Sequence, residues 1–81
     1  MKPTLEDIAS MVAVQLGRRD AAAEDRIVED LGAESIDVVN IVAAVEDRYR
    51  VVIEEEALVD IRTVRDLFEL AGRRWQRARN G

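Results

Sequence analysis

The spacing of apolar residues predicts a helix at the start of the chain. Apolar side chains recur at intervals of three or four residues, at Leu5, Ile8, Val12 and Leu16. This interval places them along one face of an α-helix. Thr4 and Asp7 have the spacing of a capping box, and Gly17 is a suitable stop. We therefore predict a first helix over residues 4–17.

Residues 35–49 are predicted to form a second helix with two apolar stripes. The first stripe, at Val38, Val42, Val45 and Tyr49, has the spacing of a core face. The second stripe consists of Ile36, Val39 and Ala43, so the apolar surface is wider than one core face requires. Two interpretations stay open for the second stripe: it packs beneath the preceding loop, or it contacts a partner protein.

Between these helices, periodicity is lost over residues 18–34. A connection of this length in a compact domain is usually a functional loop. We expect the apolar residues Ile27, Val28 and Leu31 to tie the loop to the core. Gly32 predicts a bend just before the second helix begins.

The C-terminal part of the chain predicts a short helix followed by a longer one. An acidic run favours a short helix near residues 54–59, because the positive end of a helix stabilises carboxylates. Thr63 and Asp66 have capping-box spacing. The last helix is expected to bury Val64, Leu67, Phe68 and Ala71. The chain is therefore predicted to be all-α, with three long helices and one short one.

The composition argues against catalysis and against a metal site. A chain of 81 residues is expected to form one domain, and it contains no cysteine and no histidine. This excludes disulfides, thiol nucleophiles, imidazole bases and the usual zinc ligands. The acidic residues also fit no calcium-binding loop. We therefore predict that the protein is not an enzyme and binds no metal.

Charge is distributed unevenly along the chain. Residues 24–60 hold 12 acidic residues against three arginines, whereas the whole chain has a formal charge of −5. This segment should repel nucleic acid and attract basic protein surfaces. The sequence shows neither the apolar core of a signal peptide nor the roughly 20 apolar residues of a membrane span. We expect a cytoplasmic monomer that binds neither nucleic acid nor membranes.

The basic tail over residues 73–81 allows two interpretations. It contains Arg73, Arg74, Arg77 and Arg79 together with Trp75. The tail could be an amphipathic contact for a membrane or a nucleic acid. We instead expect a frayed helix end whose cations complement the helix dipole.

The segment EDLGAESID, residues 29–37, contains the strongest candidate for chemistry. Ser35 stands at the predicted start of the second helix, directly after a long loop and a glycine. Taken by itself, a serine in this position is more often an N-cap, which stabilises a helix by roughly 0.5–2 kcal/mol. The surrounding sequence decides whether Ser35 is only a helix cap or a site of chemistry.

That surrounding sequence resembles the acyl carrier protein family over roughly residues 4–71. The family's modification site reads as a leucine-glycine step, an acid, a serine and an apolar residue, and here these are Leu31, Gly32, Glu34, Ser35 and Ile36. The resemblance continues through EDRYR, EEEAL and TVRDL further along the chain. The family usually has aspartate before the serine and leucine or methionine after it, so Glu34 and Ile36 are departures. These two bear on which transferase modifies the protein.

The resemblance implies a single four-helix carrier domain, over residues 1–81, with a covalent cofactor. A phosphopantetheinyl transferase would move 4′-phosphopantetheine from coenzyme A onto Ser35, and the arm's thiol would hold acyl groups as thioesters. Acyl-transferring or condensing enzymes with basic docking surfaces would be the other partners. The partner-binding residues it implies are Glu34, Ile36, Asp37, Val39, Ala43, Glu46, Asp47 and Glu54.

We expect a carrier serving fatty acid, polyketide or related specialised biosynthesis. A peptidyl or aminoacyl carrier would use the same arm, although the strong acidity favours the acyl type. From a different class, an unmodified helical adaptor that binds proteins through the second helix is the remaining alternative.

Overall fold

The fold consists of helices joined by one long and two short connections. The computed structural model describes residues 1–80, which form α1 (Leu5–Gln15), α2 (Ser35–Tyr49), a 3₁₀ helix (Glu55–Asp60) and α3 (Val64–Asn80). Among these residues there is no strand, only an isolated antiparallel bridge between Arg26 and Thr63. The predicted all-α fold with three long helices and one short one is confirmed. None of the helices described is long and apolar enough to cross a membrane.

The start of α1 shows half of the predicted capping box. The Thr4 hydroxyl accepts a hydrogen bond from the Asp7 backbone N–H at 3.1 Å, as expected. The Asp7 carboxylate instead accepts from the Tyr49 hydroxyl at 3.2 Å and from Arg48 at 3.3 Å. Tyr49 is buried, and a buried hydroxyl needs a partner. Asp7 therefore joins α1 to the end of α2.

The core lies where α1, α2 and α3 meet the long loop. Its largest fully buried side chains are Ile8, Val12, Ile27, Ile41, Val45, Val64 and Leu67. Six buried apolar residues are not among the predicted core positions: Ala13, Ala33, Ile41, Val51, Ile53 and Leu70. Conversely, four residues predicted on core faces are only partly buried and pack at the edge of the core: Leu5, Leu16, Val38 and Phe68.

The long loop is held to the core by apolar anchors and by backbone hydrogen bonds. Ile27 and Leu31 are buried, as predicted, but Val28 is 52% exposed, so its expected anchoring role is wrong. The backbone turns here, because the Asp30 and Leu31 N–H groups both donate to the Arg26 carbonyl. In such a turn, side chains four positions apart, here those of Ile27 and Leu31, lie on the same side and point toward the core. The side chain of Val28 points outward.

Backbone hydrogen bonds also hold the long loop to the residues at the start of α3. The Ile27 N–H donates to the Arg62 carbonyl at 2.8 Å, and the Val64 N–H donates to the Asp25 carbonyl at 3.1 Å. The second predicted capping box is confirmed in both directions, with Asp66 and Thr63 exchanging hydrogen bonds of 3.0 Å. These backbone hydrogen bonds lower the pKa of the Asp66 carboxyl.

The basic tail continues α3 as a helix. Residues 73–80 are helical, and Gly81, the last residue of the predicted tail, lies outside the described residues. Arg74 is held in an ion pair with Glu54, so this part of the tail is anchored. Fraying of the tail beyond that point stays a prediction.

Candidate functional site

Ser35 is the first residue of α2 and lies exposed on the surface. The N-cap of α2 is Glu34, in an extended backbone conformation, and the Glu34 N–H donates to the Asp37 carboxylate at 2.9 Å. The interpretation of Ser35 as an N-cap is therefore wrong by one residue, because the helix starts at Ser35 itself, one position earlier than a serine cap would require. The Ser35 hydroxyl is left at the rim of a helix N-terminus without a capping function.

The backbone before Ser35 is built as a tight turn. The Gly32 N–H donates to the Val28 carbonyl at 3.0 Å, and the Ala33 N–H donates to the Ile27 carbonyl at 3.1 Å. Gly32 has a φ of 73°, in the left-handed region, and Ala33 beyond it is buried. The turn thus fixes Ala33 in the core and brings Ser35, two residues later, to the surface.

Because of this turn, Gly32→Ala should lower the free energy of unfolding by about 1–2 kcal/mol, the cost of a left-handed conformation for a residue with a Cβ. No atom lies within 4 Å of the added Cβ, so backbone strain is the only expected cause. The matched control is Gly72→Ala inside α3, where space is also open and φ is not positive. It should stabilise the protein by about 0.5–1 kcal/mol. Urea unfolding of both variants checks this, and equal effects would contradict it.

The electrostatic surroundings of Ser35 combine opposing effects. The exposed N–H groups of a helix N-terminus favour a phosphate group. Glu34 and Asp37 flank the hydroxyl and oppose this attraction with negative charge. Asp30, earlier in the loop, is engaged by Arg26, whose side-chain hydrogen bonds lower the pKa of the Asp30 carboxyl. A phosphate on Ser35 would therefore stay at the surface and face solvent.

The second apolar stripe of α2 lies on the surface next to Ser35. Ile36 is 60% exposed, Val39 is 48% exposed, and Ala43 is also exposed. Of the two interpretations left open by the sequence, packing beneath the loop is therefore wrong. The stripe forms a small exposed apolar patch beginning at the residue after Ser35.

The predicted partner-binding acids fall into two groups. Asp47 is exposed and has no hydrogen-bonded partner among residues 1–80, whereas the other four take part in contacts within the protein; for Glu34 the contact is the capping box of α2. Asp37 accepts the Glu34 N–H, and the Glu46 carboxylate accepts the Ile53 N–H at 2.8 Å. Sequence reasoning missed both contacts, because each depends on where a neighbouring backbone N–H points.

Glu54 is the fourth acid with an internal partner. Arg74 donates two hydrogen bonds to its carboxylate, at 2.9 and 2.8 Å. These hydrogen bonds lower the pKa of Glu54 to about 2. The ion pair holds the start of the 3₁₀ helix against α3. It also neutralises much of the Glu54 charge. The sequence placed these residues 20 positions apart and gave no signal of the pairing.

No cluster of potential metal ligands is present among residues 1–80. The candidate site consists of an exposed hydroxyl at a helix start, an apolar patch beside it and a surrounding surface that is mainly acidic. Such an arrangement provides an attachment point and a contact surface. The two carboxylates nearest in sequence, Glu34 and Asp37, accept backbone N–H groups and not the Ser35 hydroxyl.

Comparison with protein families gives one match that covers most of the chain. Residues 6–71 match the family model described as a phosphopantetheine attachment site. The matched range includes α1 from its second residue, the long loop, Ser35, and the starts of α2, the 3₁₀ helix and α3.

Curated relatives point the same way. The chain is 42% identical over 64 residues to an acyl carrier protein of Syntrophobacter fumaroxidans, covering 76% of this chain and 79% of the relative. It is 41% identical over 73 residues to an acyl carrier protein of Campylobacter concisus, covering 84% and 95%.

Solved structures with a similar fold are also acyl carrier proteins. The solution structure of oxytetracycline acyl carrier protein superposes with a TM-score of 0.77 at 24% identity, over 96% of this chain and 87% of that one. The crystal structure of an acyl carrier protein from Thermotoga maritima gives a TM-score of 0.75 at 27% identity, over 89% and 86%. The first of these likenesses concerns the fold alone.

Proposed function

This chain belongs to the acyl carrier protein family, and from that premise we propose that Ser35 is its attachment point for 4′-phosphopantetheine. Members of this family are carriers and not catalysts, and their cofactor is the phosphopantetheine arm. The observation that supports Ser35 is its exposed hydroxyl at the first residue of α2, free of the capping role that Glu34 has taken.

The chemistry at Ser35 would be a single transfer. The Ser35 hydroxyl oxygen attacks the phosphorus of coenzyme A that bears the pantetheine group, and a P–O bond to the serine forms. The pyrophosphate bond breaks, the adenosine bisphosphate portion leaves, and the serine loses its proton. The chain has no histidine or cysteine to act as the base. The neighbouring carboxylates of Glu34 and Asp37 accept backbone N–H groups, and neither accepts a hydrogen bond from the Ser35 hydroxyl. A partner transferase must therefore supply that base.

After the transfer, the protein's own residues would hold and present the arm. The arm supplies a thiol on which acyl groups are held as thioesters, so the absence of cysteine from the chain is no obstacle. The carboxylates of Glu34 and Asp37 repel the phosphodiester and favour an arm that projects from the surface. An arm that projects can reach the active sites of several enzymes in turn.

We propose that partners dock on the patch formed by Ile36, Val39 and Ala43, with Glu34 and Asp47 attracting basic groups around it. The patch is apolar, small and exposed. Charges around such a patch raise association rates more than they lengthen residence, which suits repeated brief contacts. Asp47 is the best suited of these acids, because the carboxylates of Asp37, Glu46 and Glu54 already have partners within the protein, and that of Glu34 takes part in the capping box.

Asp47→Lys should therefore slow modification by a phosphopantetheinyl transferase about three- to tenfold at low salt, the scale of reversing one exposed charge pair. The matched control is Asp20→Lys, which makes the same charge change at an exposed position in the loop after α1. Its rate should stay near that of the unaltered protein. Initial rates at several salt concentrations measure both, and the difference should shrink as salt rises. Rates that do not change with salt concentration would contradict electrostatic docking.

The experiment that tests the proposed function is an intact mass measurement. The purified chain is incubated with coenzyme A, magnesium and a phosphopantetheinyl transferase, and we expect the mass of one arm to be added. No addition with several transferases would favour the helical adaptor over the carrier.

We propose fatty acid, polyketide or related specialised biosynthesis as the pathway, with acyl rather than aminoacyl groups as cargo. The identity to acyl carrier proteins over most of the chain supports the acyl type. Mass spectrometry of the protein isolated from its own cells would identify the group on the arm. An attached amino acid would overturn the acyl assignment in favour of the peptidyl or aminoacyl carrier.

A further inference from the structure

The end of the molecule opposite Ser35 has a cleft with the opposite chemical character. The cleft lies between the connection after α2 and the last turns of α3, and it is lined by Arg50, Val51, Val52, Glu54, Arg74, Arg77 and Ala78. Ser35 and Tyr49 are the first and last residues of α2, so the cleft begins about 21 Å along the helix from Ser35, at a rise of 1.5 Å per residue.

The charge of this cleft is carried by two arginines. Three arginines line it, but Arg74 forms a two-point ion pair with Glu54, the only acid in the lining. Arg50 and Arg77 are exposed, and within residues 1–80 neither forms an ion pair. The cleft thus has two guanidinium groups without a direct ion pair among residues 1–80, although Arg77 also helps to lower the pKa of Glu54.

An exposed apolar side chain lies in the same cleft. Val52 is 73% exposed and sits in the connection that the Glu46 to Ile53 hydrogen bond holds in place. Ala78 faces the same cleft from the last turns of α3. Cations near helix ends are expected for dipole reasons alone, but those reasons do not account for an exposed valine beside them.

We propose that this cleft is a second docking surface, which binds an acidic segment of a partner protein in which carboxylates flank an apolar side chain. The guanidinium group of arginine matches a carboxylate with two parallel hydrogen bonds. Carboxylates on Arg50 and Arg77 would place an intervening apolar residue against Val52. The inference goes beyond the carrier function, because it would hold the protein in an assembly while Ser35 stays free.

The charge distribution favours a short protein segment over an extended polyanion. Glu55 and Glu56 are exposed on the 3₁₀ helix directly after Glu54, and Asp47 is exposed on the last turn of α2. The molecule is only 36 Å in its longest dimension, so an extended nucleic acid or an anionic membrane lying on the cleft would also come close to these acids, which follow Glu54 directly or precede Arg50 by three residues. Repulsion acts over about one Debye length, about 8–10 Å at physiological salt. A short segment can contact the cleft without extending over these acids.

The test uses the unmodified full chain and a fluorescent peptide in which leucine alternates with glutamate. Fluorescence anisotropy should show saturable binding, and the amide NMR shifts that change should include residues 50, 52 and 77 and not residues 36, 39 and 43. Arg50→Glu with Arg77→Glu should weaken binding by about tenfold or more, equivalent to about 1.4 kcal/mol. The control, Arg18→Glu with Arg19→Glu, makes the same change of net charge at exposed residues after α1 and should bind as the unaltered protein does.

Several outcomes would overturn the proposal. These are absence of peptide binding, an equal loss in both double variants, or shifts confined to the α2 patch. Tighter binding of the same residues to phosphatidylglycerol vesicles or to single-stranded DNA at equal salt would assign the cleft to a different class of partner. Because the peptide is tested without the arm, failure here leaves the carrier function intact. Normal phosphopantetheine transfer to the Arg50 and Arg77 double variant would show that it still folds.

Discussion

Ser35→Ala should abolish the addition of phosphopantetheine completely, so that the intact mass stays unchanged after incubation with coenzyme A and a transferase. The substitution removes the only atom to which the arm is proposed to bond. It should cost little stability, because Ser35 is exposed and the cap of α2 is Glu34. Circular dichroism of the variant should therefore match that of the unaltered chain.

The matched control for this prediction is Ser10→Ala. Ser10 is an exposed serine in α1, far along the chain from the glycine turn. We expect full modification of this variant at an unchanged rate. An arm that still attaches to the Ser35→Ala protein, with a loss in the Ser10→Ala protein, would place the cofactor on α1.

Ile27→Ala should lower the free energy of unfolding by about 2–5 kcal/mol, the range for truncating a buried isoleucine. Ile27 is among the largest fully buried side chains, although it belongs to a loop. Total stability of a small domain is commonly about 5–15 kcal/mol, so this is a large part of it. The Ile27 backbone carbonyl, which the substitution keeps, accepts the Ala33 N–H at 3.1 Å. Without the isoleucine side chain to fix this backbone in the core, the turn before Ser35 should loosen too.

Val28→Ala, one residue further on, is the control. Val28 is half exposed, so its truncation should change stability by no more than about 0.5 kcal/mol. Urea unfolding followed by circular dichroism measures both variants, and transferase rates below the unfolding transition report on the turn. Similar losses at both positions would show that the loop is not anchored through Ile27.

The helices could be predicted from the sequence because their signals are local. The start of α2 at Ser35 and the capping box of Thr63 with Asp66 both follow from residues a few positions apart. The burial of Ile27 could be predicted from the sequence, but the exposure of Val28 could not. Both are apolar residues in a loop, and the turn at Arg26 alone decides which one points inward.

The sequence predicts where the candidate site lies, but it does not predict which of the surrounding acids are already paired within the protein. Ser35 and the apolar stripe of α2 follow from motif and helical spacing, and the structure exposes both. The roles of the acids depend on contacts between distant segments. Glu54 meets Arg74 only because the 3₁₀ helix packs beside α3, and no sequence pattern encodes that distance. A carboxylate that looks available in the sequence is therefore often already paired in the fold.

The two ends of the molecule imply a division of tasks. At one end, the Ser35 hydroxyl and the apolar patch beside it would meet the transferase and the enzymes that load and use the arm. At the other, Arg50 and Arg77 would hold a stationary partner. The separation of these ends along α2 allows both contacts at once, which a single docking surface would not.

The most direct test of the central claim is the location of the arm within the chain. Trypsin cleaves after Arg26 and Arg48, and the peptide between them contains Ser35 as its only hydroxyl-bearing side chain. After incubation with coenzyme A and a transferase, mass spectrometry of the digest should find the added mass on that peptide alone. An arm on the peptide that contains Ser10, or on the one that contains Thr63, would contradict the account.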